Sequence, residues 1–349
     1  MAKTKLTLTI ISVLISAGMN AQKYHDAKIY NIKGNVRYVW TASDVLSEGA
    51  CFSPEGKIIA VNLLGDEWKL VDTKHDEQGI LKQMWDPADP LLYGIAVSFY
   101  DYDASGKMYK ETSKADDKIM YEKSFDYDNN GQISKEEYSD PDIGKNYSWS
   151  FTYLSFDSKG NWTERTAKTM PEEMTTNNQR TISYWEDDAA SGPRRYFDAA
   201  MFQMNGNVKS LEETTSPNGA TTHTFFAANG ECYYSDCPIS DSLFIRSNGY
   251  ITVQKYNNIE IRYGYDGQGR MKQIASPNCI QDFLYDSKGS VTEVNINTII
   301  PNEGVEQSIK LICEDTGYDP HGNWTYRTIT NPTTGQMNTI SRKITYWNN

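Results

Sequence analysis

A short polar turn that closes on glycine recurs along the whole chain, and this recurrence limits the fold more than any other feature. Gly34, Gly56, Gly79, Gly106, Gly131 and Gly160 sit in such turns, and Gly206, Gly230, Gly249, Gly269, Gly289 and Gly322 repeat the series. The ends of the two series match most closely. Gly160-Asn-Trp-Thr-Glu-Arg-Thr166 returns as Gly322-Asn-Trp-Thr-Tyr-Arg-Thr328, and Arg180-Thr-Ile-Ser-Tyr-Trp185 returns as Arg342-Lys-Ile-Thr-Tyr-Trp347, both offset by 162 positions. An equal offset means that the stretch between the two motifs kept its length, so one unit was copied without insertion. The chain therefore divides into a leader at 1–21, a first six-unit half at 22–185, a polar connector at 186–196 (EDDAASGPRRY) and a second six-unit half at 197–349.

Between the turns, side chains alternate apolar and polar, as over residues 98–102, 107–112 and 180–185. That period of two, rich in Tyr, Thr, Ile and Val, predicts half-buried strands. Asp, Asn or Ser ahead of a glycine at positive φ reverses the chain, so each unit reads as strand, turn, strand. A lone hairpin is marginal in water, and stacked neighbours supply the missing buried face. The expected fold is all-β: tandem hairpins forming an extended or curved sheet, in two duplicated halves. An open array would leave strand edges at its ends, and such an edge predicts a dimer through strand pairing.

The units YDYDASGKMYKET, FDYDNNGQISKEEY, YGYDGQGRMKQI and FLYDSKGSVTEV resemble the YD repeats of Rhs-like bacterial secreted and cell-surface proteins. The resemblance covers most of the chain after residue 29 and implies strand pairs wrapped into an extended or shell-like sheet. The hairpin arrays of MORN-like bacterial proteins look similar too. Neither resemblance implies a molecular function, because one fold hosts many.

Lys3 and Lys5 precede a mostly apolar run from Leu6 to Gly18, followed by Met-Asn-Ala-Gln. That order is a secretory signal peptide, with cleavage expected near Ala21. The run is shorter than the roughly 20 apolar residues a membrane span needs, and no later segment is longer, so no span is expected. A secreted, periplasmic or cell-surface location follows. There, Cys51, Cys232, Cys237, Cys279 and Cys313 are free to pair, and their odd number leaves at least one thiol over. The formal net charge of −12 argues against nucleic acid, whose partners carry excess Lys and Arg. Apolar residues make up 38% against roughly 45–50% for an ordinary domain, which suits a thin, Tyr-rich sheet.

Two constellations offer binding chemistry. Asp126, Asp128, Asn130, Gln132 and Glu137 fall at calcium-loop spacing, with calcium the cofactor such a loop would take. The same residues also suit a plain hairpin turn, because only 13 residues separate this loop from the one before it. Trp162, Trp185, Trp324 and Trp347 recur at identical spacing and would either stack sugar rings or fill the core at the end of each half. No catalytic set emerges: the sequence lacks the nucleophile elbow, the Walker loop and the zinc spacings. The expectation is a non-enzymatic binding or structural scaffold with a protein or glycan partner. The alternatives are a carbohydrate-binding protein working through the Trp and Tyr faces, and then a glycan hydrolase.

Overall fold

The structure, a computed structural model, describes residues 22–44, 47–62, 68–86, 96–141, 144–186, 189, 193–236, 244–256, 259–299 and 306–347. The leader and Cys237 lie outside these residues. Two antiparallel sheets, of 13 and 12 strands, account for nearly all regular structure. The first runs from Val36 to Tyr184 and the second from Val208 to Tyr346. The fold is the expected all-β array of tandem hairpins in two copies.

The recurring Tyr-Asp pair has a mechanical meaning. At the turn after Tyr102, the Asp103 carboxylate accepts the amides of Ser105 (2.8 Å) and Lys107 (3.0 Å), while Gly106, at φ +80°, donates back to the Asp103 carbonyl. Asp128, Asp157, Asp266, Asp286 and Asp319 close their turns in the same way. At three turns the tyrosine ahead of the aspartate ties its hairpin to the one before it. Tyr127, Tyr265 and Tyr285 donate their hydroxyls to the carbonyls of Met108 (2.5 Å), Ile251 (2.9 Å) and Met271 (2.5 Å), just past the preceding turn. Each such bond contributes about 1 kcal/mol net.

Each sheet is an up-and-down meander whose first strand pairs with its last: Val36–Ser43 with Thr175–Tyr184, and Val208–Ser216 with Met337–Tyr346. In the first sheet the two ends of the strand order are Trp68–Leu70 and Asp72–His75, with only Val71 between them. The Val71 amide donates to the Ile59 carbonyl and the Asp76 amide to the Ile80 carbonyl, both at 3.0 Å. Backbone amides alternate sides along a strand, so residues 71 and 76 face opposite neighbours. The stretch from Trp68 to His75 thus pairs with Ile58–Asn62 over its first part and with Leu81–Asp86 over its second, which brings the two ends of the sheet together. Each part pairs on one side only, so the open edges expected from the sequence are shortened there. In the second sheet Asp198 holds the two end strands side by side, accepting the Cys232 amide (2.8 Å) and gripping Arg246 (2.7 and 3.0 Å).

A duplicated cap covers one end of each sheet. Residues 22–34, built around the 3-10 turn Asp26–Tyr30, cross the hairpin tips in order. Tyr24 donates to Glu55, His25 to Gly79, Asn31 to Gly131 and Lys33 to Asn161. In the second copy Arg195 donates to Asn229, Phe197 to Gly249 and Asn205 to Asn323, around the 3-10 turn Asp198–Phe202. Gly34 and Gly206 therefore lead from cap into first strand and do not sit between paired strands. At Gly79 (φ +74°) a Cβ would lie 1.9 Å from the Lys23 carbonyl oxygen, so only glycine lets the cap dock that closely.

Apolar side chains under each cap form a core, with Val39, Phe52, Ile58 and Leu81 in the first copy and Leu211, Phe226 and Ile251 in the second. A third cluster joins the copies: Cys51, Ala60 and Trp185 from the first meet Ala227, Tyr233 and Tyr234 from the second. The Trp185 and Trp347 indoles donate to the Phe52 and Phe226 carbonyls, which marks these residues as equivalent. By the same alignment Cys51 matches Phe225 and Ala60 matches Tyr234. The halves thus meet through one surface used twice, the logic of a two-fold dimer within a single chain. Among the described residues Cys232, Cys279 and Cys313 are free thiols.

Candidate functional site

Trp162, Trp185 and Trp324 are 1%, 6% and 5% exposed, and Trp347 is half-buried. Trp162 lies against the guanidinium groups of Arg165 (4.2 Å) and Arg180 (3.7 Å), and Trp324 against those of Arg327 (4.0 Å) and Arg342 (3.4 Å). Trp185 packs edge-on to Tyr233 between the copies, with Arg37 over its ring, while Lys209 lies over Trp347. The first three rings offer no open face to a sugar. The calcium-spaced residues also have other partners. Asp128 caps its turn, Glu137 pairs with Lys135 (2.5 Å), and the buried Gln132 side chain reaches Gly160 and Asn31. Among the described residues no three His, Cys, Asp or Glu side chains gather where a metal would sit.

Other chemistry collects on the inner face of the first sheet. Cross-strand partners point to the same side of a sheet, and Tyr100 packs in the core beneath the cap. Its partner Glu111 therefore points inward, and so in turn do Lys123, Tyr138 and Tyr147 along the register. Lys123 lies 3.9 Å from Glu111 and 3.7 Å from Glu136, and Tyr121 donates to Glu111 at 2.9 Å. Farther from the cap, Tyr121, Tyr138, Tyr147 and Trp149 pack ring to ring, with centroids 5.5–6.4 Å apart. Packed cores exclude water, yet the Lys123 side chain keeps 31% of its surface accessible, so space remains beside it.

Burial opposes the charge on Lys123, but Glu111 and Glu136 outweigh it and hold the ammonium well above its usual range. Burial pushes Glu136 up, against the pull of Lys123 and Arg165. It also lowers Arg180 to about 9, with Arg165 adding to the effect, which leaves the guanidinium charged at neutral pH. On the outer face, by contrast, the same strands carry ordinary solvated pairs such as Lys110–Glu122.

The second copy shows which of these groups the fold needs. Its registers correspond position for position: Glu111 opposite Lys123 becomes Ile274 opposite Gln281, and Glu136 opposite Trp149 becomes Val294 opposite Leu311. Its interior there is filled by Val294, Ile296, Leu311 and Ile329. A sheet of the same design thus forms with aliphatic side chains at these positions, and an inward ion cluster is usually no more stable than such a filling. The cluster of the first copy is not a requirement of the architecture. Sequence reading missed it because each residue looks like one more alternating strand charge. Aligning the two halves past their matching ends would have exposed it.

No protein-family model matches the sequence, and no curated protein does. Among solved structures the chain is similar to the TcdB2-TccC3-TEV toxin-complex protein, at 12% identity and a TM-score of 0.28, over 90% of this chain and 17% of that one. It thus spans about a sixth of that protein's length. It is also similar to porin-like proteins from Bacteroides uniformis (8% identity, TM-score 0.19, covering 89% of this chain and 98% of that one) and Bacteroides vulgatus (11% identity, TM-score 0.22, covering 90% and 99%). Scores so far below 0.5 do not establish a common fold. Among the described residues no helix is long and apolar enough to cross a membrane.

Proposed function

We propose that the protein is a secreted, non-enzymatic binding scaffold of the cell envelope or extracellular space, built on YD-type repeats, whose ligand enters the interior of the first sheet. One observation carries the reading: at matching positions the first copy holds Glu111, Lys123 and Glu136 where the second holds Ile274, Gln281 and Val294. A duplicated scaffold with apolar side chains at these positions in one copy and charged groups beside a Tyr/Trp wall in the other suits one supporting and one binding half. The wall formed by Tyr121, Tyr138 and Trp149 favours a saccharide, because flat aromatic rings take the apolar faces of sugars. The test is a glycan array on the mature protein from Gln22, beside the variant E111I/K123Q/E136V, which copies the second half. The proposal expects binding by the native protein and none by the variant at intact fold; equal binding by both overturns it.

A further inference from the structure

We infer that the second sheet holds, under its cap, a binding cavity for a neutral hydroxylated molecule the size of one sugar ring, a site separate from the interior of the first sheet. The two copies show how the space arises. In the first, Asn31 at the end of the cap turn donates to the Gly131 carbonyl and to the Gln132 side chain (3.2 and 3.4 Å), and Gln132, 5% exposed, reaches across to the Gly160 carbonyl at 3.3 Å. That side chain fills the gap between cap and hairpin tips. An opening remains above it, beside Lys28 and Lys107, but it does not reach Trp162 or Arg165. In the second copy Ser290 takes the position of Gln132, its amide bonded to Asp286 as that of Gln132 is to Asp128. Gln203, in the place of Asn31, accepts from Arg327 instead (2.7 Å). The gap stays open as a cavity of about 340 Å³ that reaches from the cap to Asp315, Trp324 and Arg327.

Its lining suits a ligand without charge. Arg327 is gripped by Asp315 through bonds of 2.6 and 3.0 Å, Arg270 by Asp266 at 2.7 Å, and Lys288 adds to the hold on Asp286. The cations are thus matched by acids, and an anion gains little there. Such pairs present donors and acceptors in fixed directions. Buried Trp324 Nε1 has no partner among the described residues. Tyr318, 51% exposed, stands at the mouth with its hydroxyl 2.7 Å from that of Ser290. Ligand hydroxyls both donate and accept, which answers a mixed lining of this kind, and an exposed aromatic ring takes the apolar face of a sugar. The volume lies near the lower end of the range for ligand pockets and so fits one ring, not a chain.

The test measures binding of D-glucose, D-galactose and D-mannose, with inorganic phosphate as the charged control, by titration calorimetry on the native protein and three variants. Ser290→Gln puts the first copy's side chain into the gap, Tyr318→Ala removes the exposed ring, and E111I/K123Q/E136V leaves this cavity untouched. At least one sugar is expected to bind the native protein and E111I/K123Q/E136V alike, and to bind Ser290→Gln and Tyr318→Ala about tenfold more weakly or worse, with cooperative melting kept. Silence from all three sugars, or native affinity in either folded cavity variant, overturns the inference. So does phosphate binding that Ser290→Gln abolishes, which would make the site one for anions. Sugar binding lost only in E111I/K123Q/E136V overturns it as well, and leaves the reading of the first sheet standing.

Discussion

Arg37 of the first sheet meets Glu231 of the second at 3.0 Å, both side chains at least nine-tenths buried, and Arg246 approaches the same carboxylate at 3.8 Å. This ion group sits beside Trp185 and Tyr233, so the joint between the copies is both apolar and charged. Breaking a buried ion pair by removing one of its members costs about 3–5 kcal/mol. Glu231→Gln should therefore lower stability to urea by that order and separate the unfolding of the two halves. A single transition at the native midpoint would show that the joint does not couple them.

Replacing the inner charged groups should act in the opposite sense. E111I/K123Q/E136V exchanges a costly ion cluster for the filling that the second copy already tolerates, and comparable exchanges gain about 1–4 kcal/mol. Differential scanning calorimetry should show a higher Tm. A fall of several degrees would mean that the cluster holds the first sheet together.

Cap docking makes two glycines unequal. Gly322 (φ +80°) has open space where a Cβ would go, while a Cβ at Gly79 would strike the Lys23 carbonyl. Gly322→Ala should cost only the left-handed backbone penalty of about 1–2 kcal/mol. Gly79→Ala should cost clearly more and raise amide exchange over residues 22–34. Equal losses would argue against a tightly seated cap.

Acid should loosen the turns. The Ser105 hydroxyl and the Lys107 amide hold Asp103 below the usual carboxylate range, and the Ser290 and Lys288 amides do the same for Asp286. At Asp157, burial works the other way and is outweighed by the Tyr184 hydroxyl and the Asn161 amide. A carboxylate lowered on folding contributes stability above its unfolded value near 3.8 and loses it as pH falls through the folded value. Tm should thus decline below about pH 4, less steeply in Asp103→Asn with Asp286→Asn. A profile identical in native protein and variant would detach acid sensitivity from these turns.

Local chemistry was legible in the sequence wherever one residue does one job. Asp103 caps, Gly106 reverses, and the strands between turns alternate, because those roles depend on neighbours within a few positions. The meeting of the sheet's two ends was not legible, since nothing in Trp68–His75 marks a stretch that pairs with one neighbour and then with another. The cap was half-visible: Tyr24-His-Asp-Ala and Tyr196-Phe-Asp-Ala repeat, but part of the second lies in a stretch that reads as connector. Trp162 and Trp324 repeat because each packs beside two arginines, so their recurrence marks core. The interior of the first sheet became visible only by its departure from the second, a comparison between positions that no turn motif aligns.

Pairing of the first strand with the last also sets an order of events during synthesis. Val39 waits for Ile182, which emerges about 140 residues later, an interval of roughly 7–30 s at ordinary translation rates. Until then Val36–Ser43 has one neighbour only, and its other side is an exposed row of unsatisfied amides and carbonyls. The nascent chain therefore passes through a long window in which a mispaired strand competes with the correct one, and the second copy, with the same design, is synthesised next to supply such strands.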